Sequence, residues 1–78
     1  MNKQLYARLD GLLYDVSVKP GQKVAVGEVL YIIEAAKSQL AVKAPYAGMI
    51  SRILRKPGET LSASDIVMEL DMTNAQAP

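Results

Sequence analysis

The chain has 78 residues, half of them apolar, with nine basic and eight acidic side chains and a net charge of +1. That length holds one small domain with little core to spare, and so balanced a charge excludes the dense basic surface that grips nucleic acid. With no Cys, His, Trp or Phe, disulfides, Cys/His metal sites and Cys- or His-based nucleophilic catalysis are excluded too, and the core must be aliphatic residues and Tyr.

The opening Met1-Asn2-Lys3-Gln4 lacks the apolar stretch of a signal peptide. No apolar run approaches the roughly 20 residues of a membrane span. A cytoplasmic chain with no membrane contact is the expectation. Leu12, Tyr14, Val16 and Val18 alternate with Leu13, Asp15, Ser17 and Lys19, a period of two that predicts a half-buried strand. Pro20-Gly21 ends it with turn chemistry. Residues 24–26 read as a very short strand, and Gly27-Glu28 as another turn. Residues 29–34 are apolar and β-branched, again a strand. Leu40, Val42 and Ala44 alternate with Ala41 and Lys43 before Pro45–Gly48 breaks the chain. Residues 49–56 form the second long strand, closed by Pro57-Gly58, and Ile66, Met68 and Leu70 predict the last one. From 73 to 78 the residues turn small and polar, the composition of a flexible tail. A domain over 1–72 is left.

The second half repeats the first. A shift of 37 residues brings Ala7 onto Ala44, Gly11 onto Gly48, and Lys19-Pro20-Gly21 onto Lys56-Pro57-Gly58. Leu13, Val16, Val24, Val29, Leu30 and Ile33 fall on Ile50, Ile53, Leu61, Ile66, Val67 and Leu70. Self-similarity at a fixed offset constrains the whole fold. With short strands punctuated by Gly and Pro, it predicts an all-β, flattened barrel or sandwich of two small antiparallel sheets related by a quasi-two-fold axis. Under that operation Lys37 falls on Asn74, which sets the lysine and the chain ends at opposite extremes.

Lys37 stands at the join of the two halves. Glu34-Ala35-Ala36-Lys37-Ser38-Gln39 is built from good helix formers, and propensity alone reads it as a helix of about two turns with a solvated lysine. The repeat instead requires a tight reversal between 29–34 and 40–44. The hairpin is the expectation, although two-residue turns want positive φ at their central residues and Ala36 and Lys37 suit that poorly. Local chemistry that disagrees with the global pattern marks functional or strained positions.

These residues resemble the biotinyl- and lipoyl-attachment domains, small β-sandwiches with a modified lysine on an exposed hairpin. The likeness spans roughly Tyr6 to Asp71. It rests on Gly21 sixteen residues before the lysine, Gly48 eleven after it, Glu34 three before it, and apolar residues at Val24, Leu30, Ile33, Val42 and Ile50. It implies a swinging-arm carrier, acylated on Lys37 by a lipoate or biotin protein ligase. Such a monomeric domain shuttles acyl groups and electrons, or carboxyl groups, between active sites. It also implies that the ligase reads Glu34, Ala36 and Ser38; Gly21 and Gly48 are expected to be structural, as turn or close-packing positions.

The cofactor pattern is mixed. Biotin carriers usually have Met on both sides of the lysine, where this chain has Ala36 and Ser38. Lipoyl domains commonly have a small residue after it, and Ala44-Pro45-Tyr46-Ala47-Gly48 looks like them. The compact Leu9-Asp10-Gly11 start and the Glu34-Ala35 pair look biotinyl. Lipoyl is favoured, with oxo-acid dehydrogenase-type partners. Biotin, with carboxylase-type partners, is the alternative, and an unmodified structural or docking module is the rival. The chain also resembles the sandwich of bacterial efflux adaptors, but those lack an acceptor lysine at the turn. Tyr6, Tyr14, Tyr31 and Tyr46 read as core or sheet-face residues. Asp15, Asp65, Glu69 and Asp71 show no paired spacing for acid–base work, so a carrier and not an independent enzyme is expected.

Overall fold

The computed structural model describes residues 2–72, which form eight β-strands and, among the described residues, no helix. In chain order they are β1 (Asn2–Tyr6), β2 (Gly11–Val16), β3 (Lys23–Val24), β4 (Val29–Ala35), β5 (Ser38–Lys43), β6 (Gly48–Ile53), β7 (Thr60–Leu61) and β8 (Ile66–Asp71). They make two four-stranded antiparallel sheets, ordered β1-β8-β6-β3 and β5-β4-β2-β7. The tail expected over 73–78, and with it Asn74, lies outside the described residues.

The repeat is written into the topology. Adding 37 to β2, β3 and β4 lands on β6, β7 and β8, and carries β1 onto β5, so one sheet order becomes the other. Registers follow. Leu13 opposite Ile33 recurs as Ile50 opposite Leu70, and Asp15 opposite Ile32 as Arg52 opposite Glu69. Each sheet draws strands from both halves, so neither half can close its core alone.

The core is the set of repeated apolar positions. Leu13 and Ile50, Leu30 and Val67, Tyr31 and Met68, and Ile33 and Leu70 are buried pairs, joined by Val24 with Leu61 and Ala7 with Ala44. Two mates break the rule: Val18 is buried where its partner is Arg55, and Leu5 is buried where its partner Val42 is only half-buried. Burial of such aliphatic surface, at about 1.5–3 kcal/mol per side chain, is the main force holding so small a domain together.

The plain alternation expected along the first long strand is corrected by a bulge. The pairing of β2 with β4 shifts between Leu13 and Asp15, leaving Tyr14 as an extra residue that is 51% exposed. Leu13, not Leu12 or Tyr14, therefore enters the core. The same shift recurs between Ile50 and Arg52, because an inserted residue reverses which face the following side chains take. β1 and β7 also escaped the sequence pattern. β1 buries only Leu5 and β7 has two residues, too little for a periodic signal.

Four turns share one device. In 19–22, 25–28, 56–59 and 62–65 the last residue's N–H donates to the first residue's carbonyl, at 3.1, 3.1, 3.2 and 2.9 Å. Its side chain then accepts from the first residue's N–H: Gln22 from Lys19 at 3.1 Å, Glu28 from Ala25 at 3.0 Å, Glu59 from Lys56 at 2.7 Å, Asp65 from Ser62 at 2.9 Å. Both backbone groups of each turn are satisfied without a sheet neighbour.

Candidate functional site

The hairpin between β4 and β5 carries the lysine. Glu34 pairs with Gln39 and Ala35 with Ser38, which leaves Ala36 and Lys37 as the two turn residues. The expectation of a reversal in place of a helix holds. Both central residues were expected at positive φ; only Ala36 is, at 53°. One positive φ at the first central position is the pattern of a type II′ turn, not type I′. An L-residue there costs about 1–2 kcal/mol relative to its relaxed conformation.

Lys37 is exposed at the tip. Among the described residues nothing engages its ammonium group: the ion pairs are those of Arg55 with Glu59 and Asp65, both at 3.7 Å. An amine so placed is free for an enzyme to approach. The Ser38 hydroxyl donates to the Ala35 carbonyl at 3.3 Å, bracing the turn from one side. Glu34 is half-buried on β4, with Ile33 before it wholly inside the core. Glu34, Ala36, Lys37 and Ser38 are thus brought together on one two-stranded tip.

Gly21 and Gly48 are not part of that tip. Gly21 is in the 19–22 turn at φ 88°, and its N–H donates to the Ile50 carbonyl at 2.6 Å. Gly48 is not a turn residue: it opens β6 and pairs with Val24. What it supplies is close approach, because a Cβ there would collide with the Asp71 carbonyl oxygen. Its repeat mate Gly11 does the same beneath the hairpin, where a Cβ would lie 2.6 Å from the Glu34 carbonyl oxygen. Sequence reasoning passed over Gly11 as a site residue, although the repeat had already placed it on Gly48.

Tyr31 is wholly buried on β4, and its hydroxyl donates to the Tyr6 carbonyl at 3.0 Å, tying one sheet to the other. Burial pushes its phenol up to about 12, with the Arg8 guanidinium opposing in part. The other tyrosines are exposed: Tyr6 by 40%, Tyr14 by 51%, Tyr46 by 41%. Among the described residues no group of His, Cys, Asp or Glu could hold a metal ion, and no helix is long and apolar enough to cross a membrane.

The comparisons agree with this geometry. The Biotin_lipoyl family model, described as "Biotin-requiring enzyme", matches residues 9–70. The chain is 32% identical over 69 residues to the dihydrolipoyllysine-residue acetyltransferase component of the pyruvate dehydrogenase complex of Pseudomonas aeruginosa, covering 88% of this chain and 13% of that protein. It is 36% identical over 67 residues to the mitochondrial propionyl-CoA carboxylase alpha chain of Sus scrofa, covering 86% of this chain and 9% of that one. Its fold superimposes on the solution structure of the lipoyl domain of the Azotobacter vinelandii 2-oxoglutarate dehydrogenase complex with a TM-score of 0.72 at 29% identity, covering 80% and 78% of the two chains. The chain thus spans a small part of the curated relatives and most of an isolated lipoyl domain. By its family match, its two-sheet fold and its relatives, this chain belongs to the biotinyl/lipoyl-attachment domain family, as a carrier domain and not an enzyme in its own right.

Proposed function

We propose that Lys37 is the attachment residue and that the group it carries is lipoyl. The observation that carries this reading is the lysine's position: exposed, unengaged by any described residue, and raised on a braced hairpin. Joining its Nζ to a carboxylic acid as an amide removes the charge of the ammonium group. The long arm that results moves on a stiff base, and tethering keeps each transfer effectively intramolecular. The domain supplies reach and presentation. Glu34, Ala36 and Ser38 are the side chains a ligase meets first on approaching the tip. The small neighbours Ala36 and Ser38 favour a lipoate ligase, and the acetyltransferase relative, named for its dihydrolipoyllysine residue, points the same way. The partners are then oxo-acid dehydrogenase-type enzymes, met by a monomeric domain in the cytoplasm.

Biotin is the second reading, supported by the 36% identity to a propionyl-CoA carboxylase chain; its partners would be carboxylases. Intact-mass analysis of the protein from its native host, beside Lys37→Arg, tests both. A mass gain matching lipoyl and absent from the variant is expected. A gain matching biotin moves the assignment to the second reading, and an unmodified native chain overturns both.

A further inference from the structure

A groove of about 230 Å³ opens between the two sheets, lined by Leu5, Arg8, Tyr31, Leu40, Val42 and Lys43 among others. It straddles the quasi-two-fold axis. Leu5 and Val42 are repeat mates, and Arg8 and Lys43 have their mates Pro45 and Tyr6 in the same lining. The fold itself accounts for a depression here. What it does not account for is how the two sides differ.

On one side the mate of Leu40 is Lys3, half-buried, with its ammonium nitrogen 5.9 Å from the centroid of the Tyr46 ring. On the other side Leu40 stands opposite Ile33 in the register and yet is 49% exposed. A large uncovered aliphatic side chain on an edge strand is a liability that folds ordinarily blunt with charge, as Lys3 does in the mirror position. The lining is strained as well. Arg8 sits at φ 73° without being glycine, its N–H held by the Ala63 carbonyl at 2.8 Å. Residues kept in that region are strained and cluster where something is bound. Its mate Pro45 has no access to positive φ, so the repeat does not require this conformation.

The uncovered wall and the acceptor lysine share a strand end. Leu40 follows Lys37 by three residues, about 10 Å along an extended chain. Whatever is attached to Lys37 is therefore tethered at high effective concentration beside an apolar surface that stands exposed among the described residues. Lipoyl and biotinyl arms are both largely aliphatic chains.

We propose that this groove is a docking site for the acyl arm of Lys37, with Leu40 and Val42 as its aliphatic wall. The proposal rests on the acylation of Lys37 and adds to it a second resting place for the arm. An arm that docks on its own domain spends part of its time shielded from water and from the wrong partner, and part extended toward an active site. The position of that balance is set by this chain, through Leu40 above all.

The experiment compares the full chain before and after acylation, with occupancy fixed by intact mass, using backbone amide chemical shifts and hydrogen exchange. Docking is expected to shift the amides of Arg8, Tyr31, Leu40 and Val42 as well as those of 35–38, and to slow exchange along β5. Leu40→Lys, which installs the residue of the mirror position at an exposed site, is expected to accept the same acyl mass while confining the shifts to 35–38. Shifts confined to 35–38 in the acylated wild-type chain overturn the docking site and leave the acylation reading standing. A chain that takes no acyl mass at Lys37 overturns both.

Discussion

Gly11 lies against the backbone of Glu34 so closely that a Cβ on the glycine would stand 2.6 Å from the glutamate's carbonyl oxygen and 2.9 Å from the Ile33 side chain. The contact fixes how β2 seats beneath the strand that rises to Lys37, and Gly48 repeats it against Asp71. Gly11→Ala and Gly48→Ala are therefore expected to destabilise by about 1–3 kcal/mol each, the range of core overpacking. Urea denaturation midpoints check this. An unchanged midpoint for both variants would mean the strands have room that the structure denies them.

Ala36 carries the opposite prediction. Its φ of 53° is strained for any residue with a Cβ, so Ala36→Gly removes strain while adding freedom to the unfolded chain. The net expectation is a gain of about 0.5–1 kcal/mol, measurable as a raised thermal midpoint. A drop in the midpoint would show that the turn does not hold Ala36 in the left-handed region.

Tyr31→Phe loses the hydrogen bond to the Tyr6 carbonyl and strands that oxygen near the core, for an expected cost of about 1 kcal/mol at neutral pH. The sign of the pH effect follows from the phenol, which rises from 10.0 to about 12 on folding. Below pH 10 both states keep the proton and the wild-type advantage is complete. Above it the unfolded chain releases its proton first, so stability falls as pH rises from about 10 to about 12. The gap between wild type and Tyr31→Phe should narrow over that window. A gap that stays constant to pH 12 would place the hydroxyl in water.

The turn acids are predicted to matter despite their exposure. Glu28→Ala removes one acceptor for the Ala25 N–H, and Glu59→Ala removes both the Lys56 N–H acceptor and one partner of Arg55. Each is expected to cost about 0.5–1.5 kcal/mol. The Arg55 pair adds little, because it is long and partly solvated. Chemical denaturation of the two single variants and the double variant checks this, since sites this separate should add.

The neighbours of Lys37 are expected to choose the ligase. Ala36→Met with Ser38→Met installs the flanking pair usual in biotin carriers, and should raise biotinylation by a biotin protein ligase in vitro while lowering lipoylation. Mass spectrometry after parallel incubations reads both. Equal modification before and after the swap would mean that the ligases read the body of the domain and not its tip.

Much of the architecture was legible before any coordinate. The offset of 37 residues, carried by Gly11 with Gly48 and by the two Lys-Pro-Gly turns, specified two interlocked halves and opposed the local helix propensity around Lys37. Repetition reports on long-range pairing, which propensity cannot. β1 was hidden because it is an edge strand with a single buried residue, Leu5. The alternation through Leu12 and Tyr14 pointed to the wrong face, since a bulge is set by pairing with β4 and leaves no trace in hydrophobic period.

Sequence alone determined the fold class, the composition of the core and the singular position of Lys37, because these depend on periodicity and on repetition along the chain. Tertiary structure decided the rest: that Gly48 serves close packing, that only Ala36 bears the turn's strain, and that Leu40 stands uncovered beside Arg8 at the axis between the sheets. Those facts arise where strands distant in sequence meet, and the distance between two backbones is a property of the packed core, not of either segment.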